Sequence, residues 1–233
     1  MIVKPVLDAS KEINHKAKES QFYKESKSAP INTSSASPNS VENIKCTTPQ
    51  VILPSIVPID IIQRKADWKD FNKIVTSRNI RTLYHFTDKR NIQSIKQQGA
   101  LYSWFFCDTH SIAIPFPASN DLSKNLDVRK GLEDFVRLSL NPDQPMMHVV
   151  RYRGIDPYIL EISPEVIYWL DTQFSNVNAT ANNSIIGSSL PHFQNINFYI
   201  ALGTNWTTPE EKAQYQAEIL VKTKIPIQFI TNI

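Results

Sequence analysis

The sequence is poor in the residues that build disulfide frameworks, metal sites and phosphate-binding loops. Its 233 residues include only two cysteines and five glycines. Cys46 and Cys107 lie far apart in the chain, without a second cysteine at zinc-ligand spacing, which argues against a disulfide framework or a structural metal site. The glycines never fall into a G-x-G-x-x-G or Walker pattern, so the sequence carries neither the Rossmann nor the P-loop fingerprint of a nucleotide-binding fold.

The sequence also has no large excess of charge and no long apolar run. A net charge of +3 and a pI near 8.7 fall short of the basic footprint that would by itself predict nucleic-acid binding. No stretch approaches the roughly 18 apolar residues of a membrane span, and the first residues lack the apolar core of a signal peptide. Together with the scarcity of cysteine, these features predict a soluble, cytoplasmic protein without membrane contact.

The first 50 residues differ in composition from the rest of the chain. They are rich in Ser, Asn, Lys, Thr and Pro, and such a segment cannot offset the entropy cost of ordering by burial. We therefore predict a disordered low-complexity tail over 1–50, either a docking element or a plain linker. A leading apolar segment and helix are predicted over 51–79, with helical spacing from Ile59 to Ser77.

Residues 80–233 show short apolar runs without regular βαβ alternation, which predicts an α+β domain. Strands are predicted at 82–86, 100–104, 135–140, 146–150, 158–162, 217–221 and 226–231. A helix is predicted from Thr87 or Asp88 to a closing glycine at Gly99, and another at Ser163-Pro164. The polar stretch 173–189 is predicted to be a long loop.

Three segments of this domain resemble the conserved blocks of the DarT family, in the family's order. They are Tyr84-His85-Phe86-Thr87 with Asn91, Gly131-Leu132-Glu133-Asp134-Phe135-Val136 with Pro145-Met146, and Gln216-Ala217-Glu218-Ile219-Leu220-Val221. The resemblance implies an ADP-ribosyltransferase-like fold of short mixed or antiparallel strands with small helices. It also implies a toxin-like enzyme that consumes NAD as a substrate, needs no metal, and modifies a nucleobase in single-stranded DNA. A macrodomain antitoxin on a separate chain is the implied partner.

The same resemblance makes Glu218 the candidate catalytic residue. Cleavage between nicotinamide and ribose passes through an oxocarbenium-like state, which a carboxylate hydrogen-bonded to the 2′-hydroxyl stabilises. Gln216, two residues earlier, would share a face with Glu218 in an extended segment and is a candidate substrate-binding residue. The alternative is a solvated glutamate at the start of an edge strand.

On the cofactor side, the resemblance implies that His85 binds the ribose, with Thr87 and Asn91 beside it. His85 could instead be a core histidine bonded to a backbone carbonyl, and Asn91 could merely cap a turn.

The resemblance also implies a basic residue near the acceptor base. The candidates for that role in this sequence are Lys124, Arg129 and Lys130. We predict Arg129 as the catalytic basic residue and Lys124 as a substrate-binding residue. Arg137, Arg151 and Arg153 are alternatives for contacts to phosphate. The aromatic residues Phe174, Trp206 and Tyr215 could stack on a splayed base or form small local cores.

Two other functions remain open from the sequence alone. An ADP-ribosyltransferase could act on RNA or protein instead of DNA, or the chain could be an inactive relative that binds nucleic acid or a partner. Labelled NAD offered with each class of acceptor would distinguish these possibilities.

Overall fold

The computed structural model describes residues 62–233. The predicted tail at 1–50 and most of the apolar segment that follows it lie outside the described residues. The helices are α1 Trp68–Ser77, α2 Ile92–Gln98, α3 Trp104–Thr109, α4 Asp121–Lys130, α5 Pro145–Arg151, α6 Leu190–Gln194, α7 Phe198–Ala201 and α8 Pro209–Tyr215. The strands are β1 Leu83–Asp88, β2 Ala100–Tyr102, β3 Phe135–Ser139, β4 Pro157–Ile162, β5 Gln173–Ser175, β6 Ile186–Gly187, β7 Glu218–Lys222 and β8 Lys224–Pro226. Short 3-10 helices cover Lys89–Asn91, Pro164–Tyr168 and Ile227–Phe229.

Six strands form the main sheet, in the order β4-β1-β3-β7-β5-β6. Every neighbouring pair in it is antiparallel, and β2 and β8 form a separate antiparallel pair. The sheet brings strands that are distant in sequence side by side, so that Ser139 of β3 and Ser175 of β5 both lie opposite Glu218 of β7. The predicted α+β class is confirmed.

The core lies against the main sheet, where inward-facing residues of the central strands are almost completely buried. Leu83, Leu138 and Ile219 expose at most 1% of their surface. On the side of α1, the rings of Phe71, Phe174 and Phe193 pack with centroids 4.7 to 5.5 Å apart. Aromatic clusters of this kind supply a large part of the apolar surface that a domain buries.

The helix predicted from Ile59 begins later than expected. Ile59 lies outside the described residues, and helix α1 begins at Trp68. The preceding residues are held in an extended path, where the ammonium group of buried Lys65 donates hydrogen bonds to the carbonyls of Leu170 and Thr172. Burial lowers the pKa of Lys65 to about 8.

Several predictions of local structure are wrong. The run 146–150 belongs to helix α5, in which Met147 and Val150 are buried three residues apart, as on one face of a helix. The run 226–231 is only the end of β8 followed by a 3-10 turn. The supposed loop 173–189 contains strands β5 and β6.

Two helix boundaries follow the capping signals in the sequence. Asp88 accepts a hydrogen bond from the amide of Arg90, and Gly99 ends helix α2 in the left-handed region with φ of 69°. The apolar residues after β2 were assigned to a strand through Trp104, but Ser103 caps helix α3 there. Within residues 62–233, no helix is long and apolar enough to span a bilayer.

Candidate active site

A cavity of about 320 Å³ opens beside strands β1 and β3 and the start of β7. This volume is in the range of small-molecule sites, about 300–1,000 Å³. Five of the seven predicted site residues line it: His85, Thr87, Asn91, Gln216 and Glu218. The fold therefore brings together residues that are more than 130 positions apart in the sequence.

Glu218 lines the cavity, and one of its two carboxylate oxygens is held by hydrogen bonds. Its Oε2 accepts a hydrogen bond from the amide of Ala179 at 2.7 Å and one from Arg137 at 3.4 Å. Oε1 has no hydrogen-bond partner within residues 62–233. The side chain is only 15% exposed, so the carboxylate is fixed in direction and largely shielded from water.

Arg137 lies between two acidic groups at the cavity wall. One end of its guanidinium approaches Glu218, and the other forms a short ion pair with Oδ1 of Asp127. Asp127 is 4% exposed, and its Oδ2 accepts a hydrogen bond from the indole of Trp104 at 3.1 Å. A continuous chain of polar contacts therefore runs from Trp104 to Glu218 along one wall.

The two carboxyl groups in this chain are both pushed toward protonation. Burial raises the pKa of Glu218, opposed by the Arg137 guanidinium and the Ala179 amide. Burial likewise raises the pKa of Asp127, again opposed by Arg137. Arg137 thus favours the ionised form of both groups in a site that otherwise disfavours charge.

His85 is partly buried, and one of its ring nitrogens is committed to the protein. Nδ1 lies 2.9 Å from the carbonyl oxygen of Arg137, which can only accept, so Nδ1 carries the proton. Burial lowers the pKa of the ring. A neutral imidazole in this tautomer leaves Nε2 as an acceptor, with no partner seen in the described part of the chain.

Thr87 and Asn91 form a buried pair beside His85. The amide of Asn91 donates to Oγ1 of Thr87 at 3.2 Å and to the carbonyl of Phe116 at 2.9 Å, and it accepts from the Phe116 amide at 3.0 Å. The guanidinium carbon of Arg90 lies 3.4 Å from the centroid of the Phe116 ring. Asn91 therefore holds the segment 112–119, several residues of which line the cavity.

Gln216 lines the cavity, but it does not lie in an extended segment with Glu218. It follows the last residue of helix α8, and its side chain donates to the carbonyl of Lys212 at 3.0 Å. Strand β7 begins two residues later, at Glu218. The expected extended pairing of the two side chains on one face is wrong, although both line the cavity.

The basic residues predicted near the acceptor lie on helix α4, outside the cavity lining. Arg129 is exposed and makes no hydrogen bond or ion pair within residues 62–233. Lys124 forms a 2.9 Å ion pair with Asp108 and lies 4.7 Å from the centroid of the Trp104 ring. Lys130 instead contacts the segment around Ala179. The structure thus places neither Arg129 nor Lys124 beside Glu218.

The sequence interpretation missed the cavity roles of Arg137 and Asp127. Arg137 had been weighed only as a phosphate contact, yet it is a charged residue between the buried Val136 and Leu138 of a short apolar strand. A lone arginine in such a strand is a signal for a buried ionic partner. Asp127 gave no comparable signal, because α4 has no clear apolar face.

The aromatic residues proposed for base stacking belong mainly to the core. Phe174 is fully buried and Tyr215 is 1% exposed. Trp206 packs on Tyr215 with ring centroids 4.7 Å apart. The local-core interpretation therefore fits these residues, and stacking by Phe174 or Tyr215 is wrong.

The family model described as DarT, ssDNA thymidine ADP-ribosyltransferase, matches residues 84–233. That span contains the cavity residues and all three sequence blocks. No curated protein sequence gave a significant match.

Solved structures share the fold at low sequence identity. Thermus sp. 2.9 DarT, solved with ADP-ribosylated ssDNA, is 18% identical with a TM-score of 0.52, over 65% of this chain and 79% of that one. The same Thermus protein solved with NAD+ is 19% identical with a TM-score of 0.51, over the same shares.

A third similar structure is Thermosipho africanus DarTG in complex with ADP-ribose. It is 22% identical with a TM-score of 0.55, over 65% of this chain but only 43% of the Thermosipho chain. These likenesses confirm the expected fold. The family match covers well over half of the chain, so the protein belongs to the DarT family of single-stranded DNA thymidine ADP-ribosyltransferases, and the expected NAD-dependent activity on single-stranded DNA is confirmed.

Proposed function

We propose that this chain transfers ADP-ribose from NAD to thymine in single-stranded DNA, with Glu218 as the catalytic residue. The observation that carries the proposal is the state of its carboxylate. One oxygen is fixed by Ala179 and Arg137, the other makes no hydrogen bond within residues 62–233, and the residue lines the cavity. A fixed carboxylate and a neutral histidine that line the same cavity suit a sugar with several hydroxyl groups.

The first half of the reaction breaks the bond between the nicotinamide nitrogen and C1′ of the ribose. The bonding electron pair leaves with nicotinamide, whose ring loses its positive charge, while positive charge develops on the ribose. Oε1 of Glu218 accepts a hydrogen bond from the 2′-hydroxyl and stabilises this charge electrostatically. The low exposure of the carboxylate strengthens that interaction, because little water screens it.

The second half forms the bond from the base to C1′. In thymidine, N1 already carries the deoxyribose, so N3 is the ring nitrogen left to attack, and its proton is released as the bond forms. The products are nicotinamide, ADP-ribosylated thymine and one proton.

Arg129 and Lys124 stay predictions for the acceptor side. Their place on helix α4, outside the cavity lining, favours contact with the DNA over contact with NAD.

The cofactor side follows from the geometry around His85. Its unprotonated Nε2 accepts a hydrogen bond from a ribose hydroxyl, while Nδ1 remains bonded to the carbonyl of Arg137. Thr87 supports this side through Asn91. We propose that Asn91 acts on NAD through the segment around Phe116, because its amide already makes three hydrogen bonds.

The acceptor is tested with the full chain, labelled NAD and a set of matched oligonucleotides. We expect label on single-stranded DNA that contains thymidine. No label is expected when every thymine carries a methyl group on N3, because the attacking nitrogen is then blocked. Transfer to the N3-methylated strand would contradict N3 as the attacking atom, and transfer to a strand without thymidine would contradict thymine as the acceptor.

Parallel reactions with RNA and with a protein mixture test the alternative acceptors. Label on either of these, with none on DNA, would keep the transferase and overturn the DNA assignment. Intact folding without any NAD binding or turnover would favour the non-enzymatic alternative.

We also propose that a macrodomain antitoxin on a separate chain counteracts this enzyme. Support comes from the likeness to Thermosipho africanus DarTG, solved with ADP-ribose, of which this chain covers 43%. The test is chemical: a macrodomain from the same source should release label from modified DNA. Label that persists under these conditions would argue against the pairing.

A further inference from the structure

Two side chains of helix α4, three residues apart, contact groups that bind the catalytic carboxylate. Asp127 and Lys130 lie on the same side of the helix, as residues i and i+3 do. Neither side chain touches Glu218 itself. Each one contacts a group that does.

The first connection runs through strand β3. Oδ1 of Asp127 pairs with the Arg137 guanidinium, and the indole of Trp104 donates to Oδ2 at 3.1 Å, which fixes the plane of the carboxylate. The other terminal nitrogen of Arg137 lies 3.4 Å from Oε2 of Glu218. Asp127 therefore sets the direction from which Arg137 approaches the catalytic carboxylate.

The second connection runs through the segment between β5 and β6. The ammonium group of Lys130 donates to the Ala179 carbonyl at 3.2 Å, to the Ser184 hydroxyl at 2.8 Å and to the carbonyl of Ala181. These three acceptors match the three N–H donors of an ammonium group. Ser184 also donates to the Ala179 carbonyl at 2.9 Å, so the backbone at Ala179 is held by two side chains.

Both connections end on the same atom. The Ala179 amide donates to Oε2 of Glu218 at 2.7 Å, and Arg137 approaches that same oxygen. Oε1 is left for substrate. We propose that α4 is the positioning element of the catalytic carboxylate, with Lys130 and Arg137 as positioning residues that both act on Oε2 of Glu218; this inference rests on the proposed function.

The residues of these two connections also influence the pKa of Glu218. Arg137 from β3 and Asp127 from α4 are the charged groups that act on Glu218, and β5 presents only the neutral Ser175 opposite it. Glu133, between α4 and β3, acts on Asp127. Loss of either Arg137 or the Ala179 hydrogen bond would therefore raise the pKa of Glu218 further.

The test uses the full chain with Arg137→Met and Lys130→Met, and Lys73→Met as a matched surface control. Lys73 is an exposed lysine of α1 that pairs only with Asp70. We expect kcat to fall about 10- to 100-fold for Arg137→Met and about tenfold for Lys130→Met, since small displacements of a reacting group have effects of this size. The KM for NAD should change little, and the acidic limb of the kcat profile should move to higher pH.

The conservative variants separate positioning from general damage. Arg137→Lys and Lys130→Arg should return the acidic limb to its parent position and recover part of kcat, because the positive charge is retained. If the methionine variants do not fold, these two carry the test through a reduced kcat at parent thermal stability. The inference would be overturned if Arg137→Met and Lys130→Met both kept the parent kcat and the parent acidic limb of the pH profile. Equal losses in Lys73→Met would also overturn it. A parent enzyme without any transfer would instead count against the proposed function.

Discussion

His85 acts as a hydrogen-bond acceptor because its protonation state is set by two neighbouring features. The Arg137 carbonyl fixes the proton on Nδ1, and burial lowers the pKa of the ring. The neutral form therefore persists at pH values below the usual pKa of histidine. Protonation at lower pH would turn Nε2 into a donor. The protonated ring could then no longer accept a hydrogen bond from a ribose hydroxyl group.

Replacement of His85 by alanine tests this role. We expect the KM for NAD to rise about tenfold, the effect of losing one well-formed hydrogen bond of roughly 1.4 kcal/mol. His148→Ala is the matched control, because His148 is exposed and its hydrogen-bond partner is Asp143. Steady-state kinetics at saturating DNA measure both. An unchanged KM in His85→Ala would remove His85 from the cofactor site.

Single residues differed in how far the sequence could predict them. The chemistry of His85 and Glu218 lies within short, recognisable motifs. Arg137 acts by pairing with a residue 81 positions away, and this pairing exists only because β3 and β7 are neighbours in the sheet. The sequence predicts strands, but it does not state which strand lies beside which.

At the scale of elements, the segment 112–119 is the part of the cavity wall with the least regular structure. It has no helix or strand, and Asn91, Arg90 and Arg153 hold it through contacts to Phe116 and Ala118. Such a segment opens locally at a lower free-energy cost than the sheet. Its order therefore depends on few contacts.

Asn91→Ala should loosen this segment even in the absence of NAD. We expect faster amide hydrogen exchange across 112–119 together with a higher KM for NAD, because the Phe116 amide loses its acceptor. Asn125→Ala, at an exposed position of α4, is the control. A raised KM with unchanged exchange would show that Asn91 binds the cofactor directly.

Elements with strong end signals were the ones that the sequence predicted well. Asp88 and Gly99 delimit a turn and helix through side-chain and backbone capping that is local in sequence. The run 146–150 was misassigned, because a short run with four apolar residues among five fits a strand or a buried helix equally well. Pro145 at the first helical position was the signal that favoured the helix.

For the whole molecule, the site is a place where stability is given up for function. Burial raises the pKa of Glu218, which means that the folded state holds a proton there more tightly than the unfolded chain does. The protonated side chain does not destabilise the folded state in acid, and this advantage is lost as the pH rises through the pKa of Glu218 in the folded state. At neutral pH the ionised carboxylate therefore destabilises the fold.

Glu218→Gln removes this titration while keeping the size of the side chain. We expect a melting temperature about 2 °C or more above that of the parent at neutral pH, with the difference shrinking as pH falls. Glu210→Gln, an exposed substitution in α8, should show no such rise. Calorimetry over a pH series measures the effect, and a lower melting temperature for Glu218→Gln at neutral pH would contradict it.

The division of the chain at residues 50 and 80 stays a prediction, since the family match begins at residue 84. The catalytic role of Glu218 is tested most directly by one comparison. Parent and Glu218→Gln are incubated with labelled NAD and single-stranded DNA that contains thymidine. We expect the parent to label the DNA and the variant to bind NAD but transfer about 10²–10³-fold more slowly. Transfer by the variant at the parent's rate would contradict the role of Glu218.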